Sequence, residues 1–296
     1  MYTEHFGLRE VPFSITPDTS FFFTSPHSQE ALNTLLVAAR NGEGFIKITG
    51  EVGTGKTLLC RKFMATLGDD FVTAYIPNPY LEPRTLMLAL ADELSIELEK
   101  GVDQHKLIKA LMMRLMELAV DGKRVVLCLD EAQAIPVVSL EALRLLTNLE
   151  TEKRKLLQIV LFGQPELNRK LELESVRQLA QRIIFHYHLG PLRRDDLDFY
   201  LAHRLRVAGY GGSRLFSRGA VAKLFRASGG IPRLVNILAH KSLMVAYGQG
   251  RQEVTDKHVA EAARDTITKK RRVWPWAAAS VSLLAAAGGL AWALTR

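Results

Sequence analysis

An apolar run, FIKITG (45–50), leads directly into Gly50-Glu51-Val52-Gly53-Thr54-Gly55-Lys56-Thr57, and a helical pattern opens at its end. Few features restrict a fold more. A buried strand must stop, turn within a few residues and restart as a helix. The glycines let successive backbone N–H groups turn inward around an anion. The helix adds the positive end of its dipole. The spacing GxxxxGK[ST] is complete, and its strand–loop–helix context is the one it requires. Gly50 through Leu58 are therefore expected to cradle a polyphosphate. Lys56 should reach the β- and γ-phosphates, and Thr57 should ligate Mg2+.

Further apolar runs follow at 71–76, 125–130 and 157–163, and RIIFHYHLG (182–190) adds an edge or central strand. Helical patterns lie between them at 57–68, 83–99, 104–120 and 139–151. Near-continuous apolar strands alternating with helices predict an α/β fold, a mostly parallel sheet covered on both faces. VVLCL (125–129) ends in Asp130-Glu131. The strand would deliver Asp130 to the metal, and Glu131 would polarise a water for in-line attack on the γ-phosphate. Gln164, beyond the fourth strand, would touch that phosphate or orient the water. Asn78 would hydrogen-bond Glu131.

After Pro191 the pattern changes to four short helices broken by glycine, a small all-helical region over 192–268. There Arg233, in GGIPRLVN, would reach back to the γ-phosphate. Arg182, in QLAQRI, would act in a neighbouring copy's site as an arginine finger, with Arg177 its rival. Two cysteines cannot make a disulfide framework or a multi-cysteine zinc site, and 48% hydrophobic residues exclude a disordered chain. The net charge of +8 is concentrated late: residues 269–296 carry five basic residues and no acid. Residues 273–294 are 22 positions without a charge, preceded by KKRR. As a helix they would extend about 33 Å, enough for a bilayer core of roughly 30 Å. Tryptophans 274, 276 and 292 would sit near the interfaces. The expectation is a single-pass anchor at the bacterial inner membrane with residues 1–272 in the cytoplasm.

Together GEVGTGKT, VVLCLDEAQAIP, EALRLLTNLET, LQIVLFGQPEL, LAQRI and GGIPRLVN resemble the AAA+ ATPases. More closely, they resemble the group containing general secretion pathway A-type proteins and the MshM-type protein of mannose-sensitive haemagglutinin pilus biogenesis. The likeness covers roughly residues 1–268. It implies a P-loop NTPase αβα sandwich of the AAA+ type over 1–191, a helical lid over 192–268, and the basic collar and transmembrane anchor over 269–296. It implies ATP and Mg2+ as ligands, a homo-oligomeric ring or arc, commonly hexameric, and work on a type IV pilus or type II secretion assembly. Gln164 takes the first-sensor position and Arg233 the second. The opening segment PFSITPDTSFFF would pack over the adenine, with Phe13 and Phe21–Phe23 as candidates. Unlike the secretion-type members, the chain has only two residues after the expected span, which favours the pilus type.

The leading expectation is thus a membrane-anchored ATPase that moves its lid against its core and passes that motion to pilus or secretion proteins. Two alternatives stand beside it: a DNA-dependent ATPase of the transposition-helper or initiator-loader kind, and a slow nucleotide-gated membrane scaffold. Nucleic acid is the disfavoured partner, because the strongest basic cluster adjoins the expected anchor.

Overall fold

A computed structural model describes residues 2–147 and 155–266 of the chain. Five strands, β1 (Phe45–Thr49), β2 (Phe71–Ile76), β3 (Arg124–Leu129), β4 (Leu157–Gly163) and β5 (Ile183–His188), form one parallel sheet in the order β2-β3-β4-β1-β5. The run at 182–190 is therefore an edge strand. α1 (Tyr2–His5) opens the chain, and around the sheet lie α2 (Pro26–Asn41), α3 (Lys56–Thr66), α4 (Pro83–Glu93), α5 (Gln104–Val120), α6 (Val137–Leu146), α7 (Glu166–Leu171) and α8 (Arg177–Ala180). Beyond it come α9 (Asp196–Val207), α10 (Arg218–Ser228), α11 (Pro232–Gly248) and α12 (Asp256–Thr266).

The central strands are apolar throughout because both of their faces are covered. Val125, Leu127 and Leu129 pack with Leu90, Leu111 and Leu143 on the α4–α6 side. Val126 and Cys128 pack with Leu35, Leu59 and Phe63 on the α2–α3 side. A period of two thus feeds two separate cores from one strand. Helix α2 has its own local signals. The Ser25 hydroxyl accepts from Ser28 N, Pro26 opens the helix, and Gly42 closes it at φ 79°. Two expected helices are shorter than their apolar patterns. α4 stops at Glu93, where Ile96 N donates back to Ala91 O and Ser95 turns left-handed at φ 55°. α6 ends at Leu146, and the last four positions of the pattern at 139–151 lie outside the described residues.

The third core belongs to the helical region and reaches back to the start of the chain. Tyr2, Phe6, Leu8, Phe13 and Phe21 pack with Leu197, Leu201, Leu224, Val235 and Leu243. Apart from Phe22, which packs against the α2–α3 core, the opening segment therefore lies against α9–α11.

The membrane-anchored architecture is corrected at this point. Among the described residues, no helix is long and apolar enough to cross a membrane. The longest, α5 and α11, have 17 residues each, about 25 Å against a hydrocarbon core of roughly 30 Å. The span expected at 273–294 lies outside the described residues. The fold is an α/β P-loop sandwich with a helical lid. The transmembrane element, the inner-membrane location and the cytoplasmic orientation drawn from it are set aside.

Burial holds the pKa values of His203, His240 and His258, all in the helical region, below the ordinary imidazole value. His258 Nδ1 accepts the Thr255 N–H at 3.0 Å, a bond that requires an unprotonated nitrogen. A base depressed in the fold binds fewer protons there than in the unfolded chain. Its stabilisation is present above about pH 6.5 and is lost as pH falls through the folded value. The melting temperature should fall between pH 7.5 and 5, and the His258→Gln variant should show a shallower fall in thermal melts.

Candidate active site

The strands deliver their C-terminal ends to one place. Gly50 N donates to Gly163 O at 3.1 Å and Leu189 N to Thr49 O at 2.7 Å, so β4 and β5 brace the loop that leaves β1. A side chain at Gly50 would come within 2.6 Å of Leu189 O. Gly53 and Gly55 take φ values of 83° and 101°, which ordinary residues adopt only under strain. Glu51 and Val52 are exposed at the loop's tip, while the buried Thr54 closes the turn by donating to Glu51 O at 2.9 Å. Leu58 lines the cleft below.

Lys56 is buried, with Nζ donating to Gly50 O at 2.8 Å and Glu51 O at 3.0 Å. Its ammonium is folded onto the loop's own carbonyls. Burial lowers its pKa, opposed by the Glu131 and Asp130 carboxylates. Thr57 Oγ1 donates to Asp130 Oδ2 at 2.6 Å, and Asp130 Oδ1 accepts Glu131 N at 3.0 Å. Burial raises the Asp130 pKa, and these two hydrogen bonds oppose the rise. On both groups desolvation outweighs the mutual attraction.

Glu131 is held in an uncommon backbone state, φ 51° and ψ 38°. The left-handed region costs a non-glycine residue about 1–2 kcal/mol. The surroundings that fix it are specific. Glu131 Oε2 accepts from Gln133 Nε2 at 2.5 Å and from Gln164 Nε2 at 3.1 Å. Gln133 Oε1 accepts Gln164 N at 2.9 Å. Lys170 Nζ donates to Gln133 O and Ile135 O, each at 2.6 Å. Gln133 is absent from the sequence reading, and its only sequence signal is an amide two positions beyond the acidic pair. Asn78 has a different bond from the one expected: its Oδ1 accepts Tyr80 N at 3.4 Å.

A cleft of about 320 Å³ joins these groups to the helical region. Lys56, Thr57 and Glu131 line one side; Tyr200, Arg204, Arg233 and Asn236 line the other; residues 14–18 close the end. Arg233 stands at the start of α11, its N–H donating to Gly53 O at 3.1 Å. Arg182 lies elsewhere. It precedes β5, whose first residue pairs with the first residue of β1. Six residues of strand, about 20 Å at ~3.3 Å each, separate it from the loop end of the sheet. Arg182 Nη1 donates to Thr147 Oγ1 at 3.3 Å, and Arg177 is exposed. Phe13 is buried in the helical core, edge-on to Phe216 at 5.8 Å, while Phe21–Phe23 line a neighbouring hollow.

The family model of an AAA domain matches residues 39–171. General secretion pathway protein A of Aeromonas hydrophila is 43% identical over 263 residues, 89% of this chain and 48% of that protein. The chain thus spans about half the length of this relative. Among solved structures, Cdc6p of Pyrobaculum aerophilum matches with a TM-score of 0.70 at 19% identity, over 87% of this chain and 71% of that one. The Aeropyrum pernix ORC1 protein in complex with DNA matches with a TM-score of 0.62 at 18% identity, over 88% and 69%. The Thermotoga maritima RuvB Holliday junction branch migration motor matches at 0.56 and 16%, over 86% and 72%. At such identities these likenesses show the fold.

Two expectations are corrected by these findings. The reading as a membrane-anchored motor for pilus or secretion assembly loses its anchor, since no described helix spans a membrane. Setting nucleic acid aside as a partner is also withdrawn: its ground was a basic cluster beside an expected anchor, and the fold is shared with proteins solved on DNA.

The close approach of loop and lid can be tested directly. A Cβ on Gly53 would meet Arg233 Cβ at 2.6 Å, whereas one on Gly42, also at positive φ, meets nothing within 4 Å. Gly53→Ala should lower the melting temperature by several degrees more than Gly42→Ala. It should also weaken binding of a fluorescent ATP analogue.

Proposed function

Because the chain is an ATPase of the AAA+ P-loop type, with a domain homologous to general secretion pathway protein A, we propose that it hydrolyses Mg-ATP to move its helical lid, and that DNA is the load. The observation that carries the hydrolytic part is Glu131, fixed in a strained backbone state by two amides at the mouth of the phosphate loop. Thr57 and Asp130 would hold Mg2+. A hydroxyl and a carboxylate 2.6 Å apart supply hard oxygen donors, and Mg2+ takes its remaining ligands from phosphate and water. When bound, the ion would neutralise charge on the phosphates.

Lys56 exchanges its two loop carbonyls for β- and γ-phosphate oxygens, and the amides of Gly50–Leu58 hold the rest of the chain of phosphates. Glu131 takes the proton of a water whose oxygen attacks the γ-phosphorus in line. The bond to the β-phosphate oxygen breaks, and ADP and phosphate leave. Gln164, already on Glu131, orients that water. Arg233 meets the γ-phosphate, so its loss on hydrolysis changes what holds α11 against the loop. Arg182, about a sheet's length from its own loop, acts in the site of a second copy.

DNA is the load this molecule's charge favours. Residues 192–268 hold thirteen Lys/Arg and seven Asp/Glu, a net +6, against a net −3 for residues 1–191. Basic character on the moving part suits a phosphate backbone, and the fold is one that other proteins use on DNA.

The Glu131→Gln variant should bind ATP within threefold of the parent and lose at least about a hundredfold in steady-state phosphate release. Unchanged turnover would remove Glu131 from its assigned role. Fluorescence anisotropy with duplex DNA should show binding that weakens steeply between 50 and 200 mM salt, together with stimulated ATP turnover. Binding without stimulation, or no binding at 50 mM salt, would remove DNA as the load.

A further inference from the structure

The turn that carries Glu131 is held in place from outside every motif. After β3 the chain makes one short turn of 3-10 helix, Ala132–Ala134, and enters α6 through Pro136. Ala134 N donates to Glu131 O at 2.8 Å and Ile135 N to Ala132 O at 3.2 Å. The next bond of that series would need an N–H at position 136, and proline has none. Ser139 N and Leu140 N both go to Pro136 O. Among the described residues, Gln133 O and Ile135 O therefore receive no backbone N–H. Such carbonyls need other partners. Lys170, on α7, supplies both: its Nζ donates to each of them at 2.6 Å. Among the described residues no carboxylate forms an ion pair with this half-buried ammonium, and burial alone shifts its pKa, downward. Its charge is spent on the turn, where charge-assisted bonds are the strong ones.

Gln133 carries the restraint onward. With its main chain pinned, its Nε2 donates to Glu131 Oε2 and its Oε1 accepts Gln164 N at 2.9 Å. Gly163 leaves room for that approach, since a Cβ there would lie 3.3 Å from Gln133 Oε1. Gln164 Nε2 donates to the same Glu131 Oε2 at 3.1 Å. Both amides thus grip one carboxylate oxygen. Among the described residues the other, Oε1, has no hydrogen-bond partner, and Glu131 lines the cleft.

We infer that Lys170 is a positioning residue for hydrolysis: acting through Gln133, it sets the turn so that Glu131 offers Oε1 to the attacking water. The inference rests on the reading of Glu131 as the base. Lys170 does not line the cleft and bonds neither the phosphate loop nor Thr57 and Asp130. Its loss should therefore slow turnover and leave nucleotide binding alone.

The test uses the full chain, with steady-state phosphate release from Mg-ATP and binding of a fluorescent ATP analogue measured side by side. Lys170→Met loses both bonds. Its kcat should fall about tenfold, with KM and the analogue's Kd within about twofold of the parent. Lys170→Gln, one atom shorter but still a donor, is the milder variant, and its kcat should fall about threefold with the same unchanged binding. Gln133→Ala should lose about as much as Lys170→Met. Combining Lys170→Met with Gln133→Ala should slow turnover by no more than about twofold beyond the slower single variant, because one residue acts through the other. Parent-like kcat in the Lys170 variants, a parallel loss of affinity, or losses that multiply in the combined variant each overturn the positioning role. Parent-like turnover in Glu131→Gln overturns the base beneath it, whatever the Lys170 variants do.

Discussion

The bond between Thr57 and Asp130 organises the molecule. A carboxylate with only 2% of its surface exposed is a liability unless its lone pairs are taken. Asp130 is satisfied by a hydroxyl from α3 and the amide of Glu131, with the Tyr75 hydroxyl at 3.4 Å. Each hydrogen bond to a charged group contributes about 1.5–3 kcal/mol, so the pair is enough to hold β3 and the glycine loop in fixed register. The direction of the Asp130 pKa shift shows that the compensation is incomplete. Burial still disfavours its charge, and an added cation would relieve that.

Lys56 faces the opposite problem from the same desolvation. Its ammonium satisfies itself on Gly50 O and Glu51 O. Phosphate binding therefore replaces two existing bonds rather than filling an empty donor set. The net gain is smaller than a count of lysine–phosphate contacts suggests. The loop's own turn, closed by Thr54 on Glu51 O, fixes its backbone, so little ordering entropy is left to spend on a ligand.

What could be read in the sequence divides along physical lines. The glycine loop and β3 with its acidic pair were legible because short-range rules fix them: φ > 0 at Gly53 and Gly55, and continuous apolarity in a strand buried on both faces. α2 was missed although Ser25, Pro26 and Gly42 mark both its ends, since the apolar stripe between them is interrupted by polar residues. α6 begins at Val137, two residues before its pattern, because Pro136 opens it. Gln133 was invisible for a different reason. Its role depends on a carboxylate two residues away and an amide thirty-one residues away, and only the sheet brings them together. Lys170 lay hidden likewise.

The division at residue 191 also looks different once packing is known. Phe6, Leu8, Phe13 and Phe21 lie in the core of the helical region, so the first stretch of chain belongs mechanically with the last. Any rotation of α9–α11 must carry residues 12–21 with it, save where Arg61 ties Pro17 to α3. The glycine loop stays with the sheet. A nucleotide in the cleft would then have its phosphates on one body and its base on the other. Of the direct ties between the bodies, the Arg233 N–H to Gly53 O bond lies nearest the phosphates. A ligand spanning that joint stiffens it in proportion to how well both ends are held. On the proposed reading, cutting the γ-phosphate would loosen one end only, and that asymmetry would favour motion of the helices over release of the whole nucleotide.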